Sequence, residues 1–217
     1  MKIVIFEPHP DDLLFGAGSL IFDLIKENHD IHVITFTDGE EMYVNIKRIK
    51  ITPEELGKMR VAESKRVIEF LSLKKENHVM LHYPDGALNE HFEECIQKIE
   101  KIVMDADRLI IPSNNNFHVD HQAAHDIAIL IAQKYDLDIE FWVFSVYGRY
   151  NEDSIEKQIQ IEINNQTKQK LNKWFEIYQS QTYYKSFLKM FLDKVNQDTQ
   201  IYGIFTLNDL GKYHNFK

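Results

Sequence analysis

Residues 3–6, Ile3-Val4-Ile5-Phe6, are wholly apolar; they lead to His9-Pro10-Asp11-Asp12, and residues 14–26 then carry apolar side chains at helical spacing. A short run of this kind marks a strand buried on both faces. The first strand therefore feeds the first helix, with a polar turn between them.

The alternation continues along the chain. Residues 31–37 (IHVITFT) are a second β-branched run, stopped by the turn dipeptide Asp38-Gly39. Thr52-Pro53-Glu54-Glu55 combines a capping Thr, Pro at the first helical position and Glu three residues after the cap, and Leu56, Met59, Val67, Phe70 and Leu71 supply a buried stripe. The pattern predicts a strand over 79–83 ending at Pro84-Asp85-Gly86, a helix over 92–104, a strand over 109–111, a helix over 122–134 and a strand over 139–146. Residues 158–163 alternate polar side chains with Ile as a half-exposed strand does, and two helical stretches lie between 167 and 195. Strands alternating with helices of this length require parallel pairing through right-handed crossovers, which predicts an α/β fold of three layers, an α/β/α sandwich.

The 217 residues are 44% hydrophobic and 27% charged, without repeats or a Gly/Ser linker, so one folded domain over 1–217 is expected. A chain of this size buries roughly 70% of its unfolded surface and needs no disulfide. Cys95 has no partner and reads as a packing residue. The formal charge of −9, with no cluster of Lys and Arg, argues against a nucleic-acid partner. No run approaches the roughly 18 apolar residues of a membrane span, and residues 1–6 are too short for a signal peptide, so a cytoplasmic location is expected.

In open α/β sheets, ligands bind beyond the carboxyl ends of the strands. Four predicted strands end in polar groups: His9-Pro10-Asp11-Asp12, Asp38-Gly39, Asp85-Gly86 and His118-Val119-Asp120-His121. Parallel pairing puts all four on one rim. A catalytic zinc takes three nitrogen or oxygen ligands and keeps one position for water. His9 and Asp12, three residues apart at a helix start, return to one side, and His121 brings a third ligand, while Asp11 points differently and suits a general base. Asp12 and Asp120 also precede helices, where Asp is a favoured cap, so either cluster alone reads equally as turn chemistry. It is the pair on one rim that points to a metal.

These motifs resemble the LmbE-like (PIG-L) zinc-dependent deacetylases. The family's His-Pro-Asp-Asp-Glu motif and Gly-containing helix start stand here as His9-Pro10-Asp11-Asp12-Leu13-Leu14-Phe15-Gly16-Ala17-Gly18, and its His-Pro-Asp-His as His118-Val119-Asp120-His121. Thr37-Asp38-Gly39-Glu40, Leu56-Gly57-x-x-Arg60-x-x-Glu63, Tyr83-Pro84-Asp85-Gly86 and Tyr178-Gln179-Ser180-Gln181 follow in the family's order, so the resemblance runs over about residues 1–181. It implies a Rossmann-like, mostly parallel sheet and an N-deacetylase acting on an N-acetylated amino sugar or its conjugate. It further implies that His9, Asp12 and His121 bind zinc, that Asp11 takes a proton from the attacking water, and that His118 stabilises the oxyanion or protonates the departing amine. Asp120 would orient a histidine, and Arg60 and Asp85 would hold the sugar or its substituent. Leu13, Ser19 and Val119 depart from the family's Glu, second Gly and Pro.

Other features carry weaker readings. His125 has ligand spacing from His121, but no Glu beside His121 completes a zincin motif. His32 and His82 fall within strands as buried or satisfied residues, while His29, His78, His91 and His214 read as surface. Tyr147 to Tyr150 (YGRY) places Arg149 after the fifth strand. Trp174, Phe175, Tyr178, Tyr183, Tyr184, Phe187 and Phe191 form an aromatic stripe packing on the sheet or lining a lipid or aglycone groove. Two alternatives stand beside the deacetylase: a magnesium-dependent phosphoryl-transfer or receiver domain, which needs no histidine ligands, and a non-catalytic sugar-binding relative. The substrate-selecting loops are 43–51, 113–117 and 148–154, and a homo-oligomer is left open.

Overall fold

The computed structural model describes residues 1–146 and 157–210. β1 (Lys2–Glu7), β2 (Asp30–Thr37), β3 (His78–Tyr83), β4 (Arg108–Pro112) and β5 (Glu140–Phe144) form a parallel array, and β6 (Gln158–Glu162) and β7 (Thr199–Phe205) complete one sheet in the order β3-β2-β1-β4-β5-β7-β6. β1 lies between β2 and β4, with Ile3 paired to Ile31 on one side and to Arg108 on the other. The order reverses between β1 and β4, which is the switch point where ligand crevices form.

Helices cover both faces. α1 (Asp12–Lys26), α2 (Pro53–Phe70), α5 (Asn165–Phe175) and α6 (Lys185–Val195) contribute to one core with Ile3 and Ile5, and α3 (Phe92–Val103) and α4 (Val119–Lys134) contribute to the other with Val4 and Phe6. Alternate residues of β1 thus feed opposite cores, which is why its sequence is apolar without interruption. The expected α/β/α sandwich is present. α2 begins with the anticipated capping box, Thr52 exchanging bonds with Glu55, which contributes about 1 kcal/mol. Cys95 is buried in the second core and burial pushes its thiol up to about 11, as suits a packing residue.

One strand was not anticipated. β7 runs antiparallel to both β5 and β6. A single helix between strands returns the chain for parallel pairing, but α5 and α6 follow one another before β7 and deliver it from the opposite end. Gln200 on β7 then explains Ser19: the Ser19 hydroxyl bonds the Gln200 side-chain oxygen, and Gln200 Nε2 donates to the carbonyls of Phe15 and Gly16 at 3.0 and 2.7 Å.

Candidate active site

Two turns at the switch point build the site. After β1, Thr37 anchors the chain by donating its amide and its hydroxyl to the Pro8 carbonyl, each at 3.0 Å. Asp11 occupies the N-cap position of α1, yet its side chain caps nothing. Glu7 reaches forward instead and accepts the Leu13 amide at 3.1 Å. The Asp11 carboxylate is therefore left for other partners. At the second turn the N-cap is His118, whose Nδ1 accepts the Asp120 amide at 3.3 Å. Asp120 accepts the amides of Gly86 and Leu88 at 2.7 and 3.0 Å, so it ties the turn after β3 to α4 rather than capping its own helix.

The turns bring His9, Asp12 and His121 together. Asp12 Oδ2 lies 3.1 Å from His9 Nδ1 and 3.2 Å from His121 Nε2, and one donor atom from each residue lies within 4.8 Å of the other two. Two imidazole nitrogens and one carboxylate oxygen, all buried, are a donor set suited to a three-ligand catalytic cation and poorly suited to magnesium. The other edge of His9 is held as well: its Nε2 sits 3.2 Å from Asp85 Oδ1 and 3.2 Å from Asp120 Oδ2. Carboxylates behind an imidazole fix the orientation of the ring and the basicity of its free nitrogen. The histidine that Asp120 touches on this edge is His9.

Asp11 and Asp12 are neighbours whose carboxyls are shifted in opposite directions. Burial pushes the Asp11 carboxyl up, the Arg60 guanidinium opposes this, and Asp12 adds to it, leaving Asp11 raised. For Asp12 burial acts the same way, but His121 and His9 outweigh it and hold the carboxyl well below its ordinary range. A raised carboxyl beside a firmly ionised one is the division expected of a base and a ligand. His118 is pushed down to about 4 by burial and by His9. Its Nδ1 accepts a backbone amide, so the neutral ring carries its proton on Nε2.

Arg60 lines the cavity over the site, as a substrate-holding residue would, and its Nη2 also donates to Asp11 Oδ1 at 2.5 Å. Gly39 makes room for it: with φ +64°, a Cβ there would lie 2.6 Å from Arg60 Cζ. Asp85 also lines the cavity, with Oδ1 facing His9 and Oδ2 accepting the Glu41 amide at 3.0 Å.

Four further residues hold the site and were given no role by sequence. Gln181 Nε2 donates to Asp11 Oδ2 at 2.9 Å. Glu63 accepts the Ser180 amide at 2.8 Å and hydroxyl at 2.5 Å, which seats the loop carrying Gln181 on α2. Glu63, Ser180 and Gln181 stood in the ordered motifs, and that was their signal. Glu7 had none; burial raises its carboxyl to about 8 against hydrogen bonds from Thr35 and Leu13. Leu13 itself is buried in the first core, so the carboxyl beside this turn comes from β1.

The remaining histidines are mostly structural. His125 Nδ1 meets the Pro112 carbonyl at 2.8 Å, and His125 is not part of the His9, Asp12 and His121 group. His32 and His82 are paired with Asp30 and Asp38, although His82 is exposed. His78 is corrected: it is not a surface residue but half-buried, 3.0 Å from the Thr35 hydroxyl, because β3 is covered by α2. His214, Tyr147 to Tyr150 with Arg149, and loop 148–154 lie outside the described residues.

The comparisons with known proteins follow this geometry. The family profile for GlcNAc-PI de-N-acetylase (PIG-L) matches residues 4–132. Diacetylchitobiose deacetylase from Thermococcus kodakarensis is 34% identical over 74 residues, which is 34% of this chain and 27% of that protein; the match spans about a quarter of the relative's length. Among solved structures, N,N'-diacetylchitobiose deacetylase from Pyrococcus horikoshii superposes with a TM-score of 0.72 at 19% identity, covering 96% of this chain and 85% of that one. The zinc-inhibited form of the teicoplanin deacetylase Orf2 gives a TM-score of 0.73 at 12% identity, covering 96% of this chain and all (100%) of that one. These likenesses establish the same fold. No described helix is long and apolar enough to cross a membrane. Since the family profile spans more than half of its residues, the chain belongs to the PIG-L family.

Proposed function

We propose that the protein is a zinc-dependent N-deacetylase that hydrolyses the acetamide of an N-acetylated amino sugar or its conjugate, releasing acetate. The observation that carries this reading is the convergence of His9 Nδ1, Asp12 Oδ2 and His121 Nε2 beside an Asp11 carboxylate held by Arg60 and Gln181. Family membership and the names of the relatives support the reaction class.

His9, Asp12 and His121 would hold the ion. Zinc bound there supplies a Lewis acid for the acetyl carbonyl and lowers the pKa of water toward 7. Asp11, ionised and gripped on both oxygens, accepts the proton of the attacking water as the acyl carbon becomes tetrahedral. His118 offers its Nε2 proton to the developing oxyanion, and as a neutral donor it needs no prior protonation. The proton held by Asp11 then passes to the departing amine. Asp85 and Asp120 keep the His9 ring aligned throughout.

The test compares metal content and acetate release for wild type, His9→Ala and His121→Ala, using N-acetylglucosamine and diacetylchitobiose. About one zinc per chain in the wild type, lost with activity in both variants, is the expected result. Zinc retained by both variants would sink the assignment, and sugar binding without acetate release would favour the non-catalytic relative. The magnesium reading loses its basis because two of the three donors are imidazole nitrogens.

A further inference from the structure

A cavity of about 380 Å³ opens over the site. Its floor is polar, with His9, Asp11 and Asp85; its outer wall is mostly apolar, with Glu41 and Asn45 as the polar side chains in it. Met42 and Val44 from the loop after β2, Phe117 from the loop before α4, and Phe187, Met190 and Phe191 from α6 supply that wall. Two of these are unusual for a surface: Phe117 is 79% exposed and Val44 57% exposed, both at the rim of a cavity. Large apolar side chains grouped in water at a cavity mouth mark a surface that is covered when a ligand binds. The wall is also anchored, since Phe191 stacks on Phe15 of α1 at 4.5 Å.

The charge of the cavity narrows the ligand. Asp11, Glu41 and Asp85 line it, and among the described residues Arg60 is its sole Lys or Arg, engaged by Asp11 at 2.5 Å. Against the described lining residues, a phosphate or carboxylate substituent would lose its water and gain no cationic partner besides the already engaged Arg60. Further sugar rings would find few partners along the wall, because its Met, Val and Phe side chains offer no hydrogen bonds to their hydroxyls and only Glu41 and Asn45 do.

Resting on the deacetylase reading, we propose that the substrate is an N-acetylated amino sugar whose glycosidic substituent is apolar and uncharged, an alkyl or aryl group lying against Phe117, Phe187 and Met190. The acetamide goes to the polar floor and the substituent to the wall.

The experiment measures kcat/KM of the zinc-loaded enzyme on octyl N-acetyl-β-glucosaminide, N-acetylglucosamine and N-acetylglucosamine 1-phosphate, and the affinity of Asp11→Ala enzyme for the octyl compound by calorimetry. The octyl substrate should exceed the free sugar by at least about tenfold, through KM, with the 1-phosphate below both. Phe117→Ala and Phe187→Ala should each reduce the octyl-to-free-sugar ratio. Phe117 is exposed, so its replacement does not threaten folding, and Val44→Arg should raise the 1-phosphate relative to the octyl substrate. A 1-phosphate that equals or beats the octyl compound overturns the proposal, as does an octyl compound no better than the free sugar. Octyl binding that depends on Phe117, with no acetate from any sugar, would support this cavity assignment while removing the deacetylase reading. Neither binding nor preference would remove the proposal.

Discussion

The parallel part of the sheet and its antiparallel edge contribute to the site by different routes. In β3-β2-β1-β4-β5, topology alone delivers the chemistry: each parallel strand ends on the same rim, and adjacent β1 and β4 bring His9, Asp12 and His121 together. The edge, β7-β6 with α5, α6 and the loop between them, delivers single side chains. Gln181 grips Asp11, Phe187 and Met190 wall the cavity, and Gln200 ties β7 to α1. The parallel part holds the candidate reacting groups and the Arg60 that faces Asp11, and the edge adds one hydrogen bond to Asp11 and much of the cavity wall.

Substitutions can break this division. Asp11→Ala, on the parallel side, should lower kcat by 10² to 10⁴ with zinc content unchanged; loss of zinc from this variant would mean that base and ligands are not separable. Arg60→Gln comes next. Arg60 opposes the upward shift of Asp11, so its removal raises the Asp11 pKa further, and a larger fraction of the base is protonated in mild acid. The acid limb of the pH–rate profile should move to higher pH, with about 10- to 100-fold loss at pH 6 and a smaller loss at pH 8. Gln181→Leu tests the edge itself. It removes one neutral hydrogen bond to Asp11, and a net value near 1 kcal/mol predicts a loss of about fivefold in kcat/KM. A loss as large as that of Asp11→Ala would place Gln181 in the chemistry rather than behind it.

The smallest effect lies away from the site. His78 is held neutral, pushed down to about 4 by burial, then by Lys65 and His82, against an ordinary 6.5. Below pH 6.5 the unfolded chain takes up this proton first, so native stability falls as pH drops toward 4 and is complete above 6.5. The contribution is on the order of 1–3 kcal/mol. Urea unfolding of wild type and His78→Gln at pH 7.5 and 5 should show a shallower pH dependence in the variant, and parallel curves would exclude this role.

The same division accounts for what the sequence revealed. Strand-to-turn sequences on the parallel side announce themselves as a set, because two His/Asp clusters at strand ends on one rim are harder to read as turn chemistry than either alone. The seven-strand order was not legible, since strand neighbours depend on packing that no local pattern encodes. β7 escaped notice for a local reason: Gly203 interrupts an otherwise β-branched and aromatic segment just after a helix. Arg60 was legible from its ordered motif, but its contact with Asp11 across 49 positions was not, since from sequence a buried guanidinium facing a substrate and one facing an aspartate look alike. The donation from Gln181 to Asp11 spans 170 positions, beyond any spacing rule.

That span bears on the order in which the molecule acquires its parts. His9 and Asp12 lie within one turn of chain, Arg60 reaches Asp11 across 49 positions, His121 joins from the far end of β4, and Gln181 arrives across 170. Closing long loops is slow relative to forming local contacts. During synthesis the proposed metal-ligating trio is complete once α4 has docked, while the hold of Gln181 on Asp11 waits for the segment between α5 and α6. A ribosome-bound chain exposing only the first 145 or so residues would therefore be expected to capture a cation before it can hydrolyse anything.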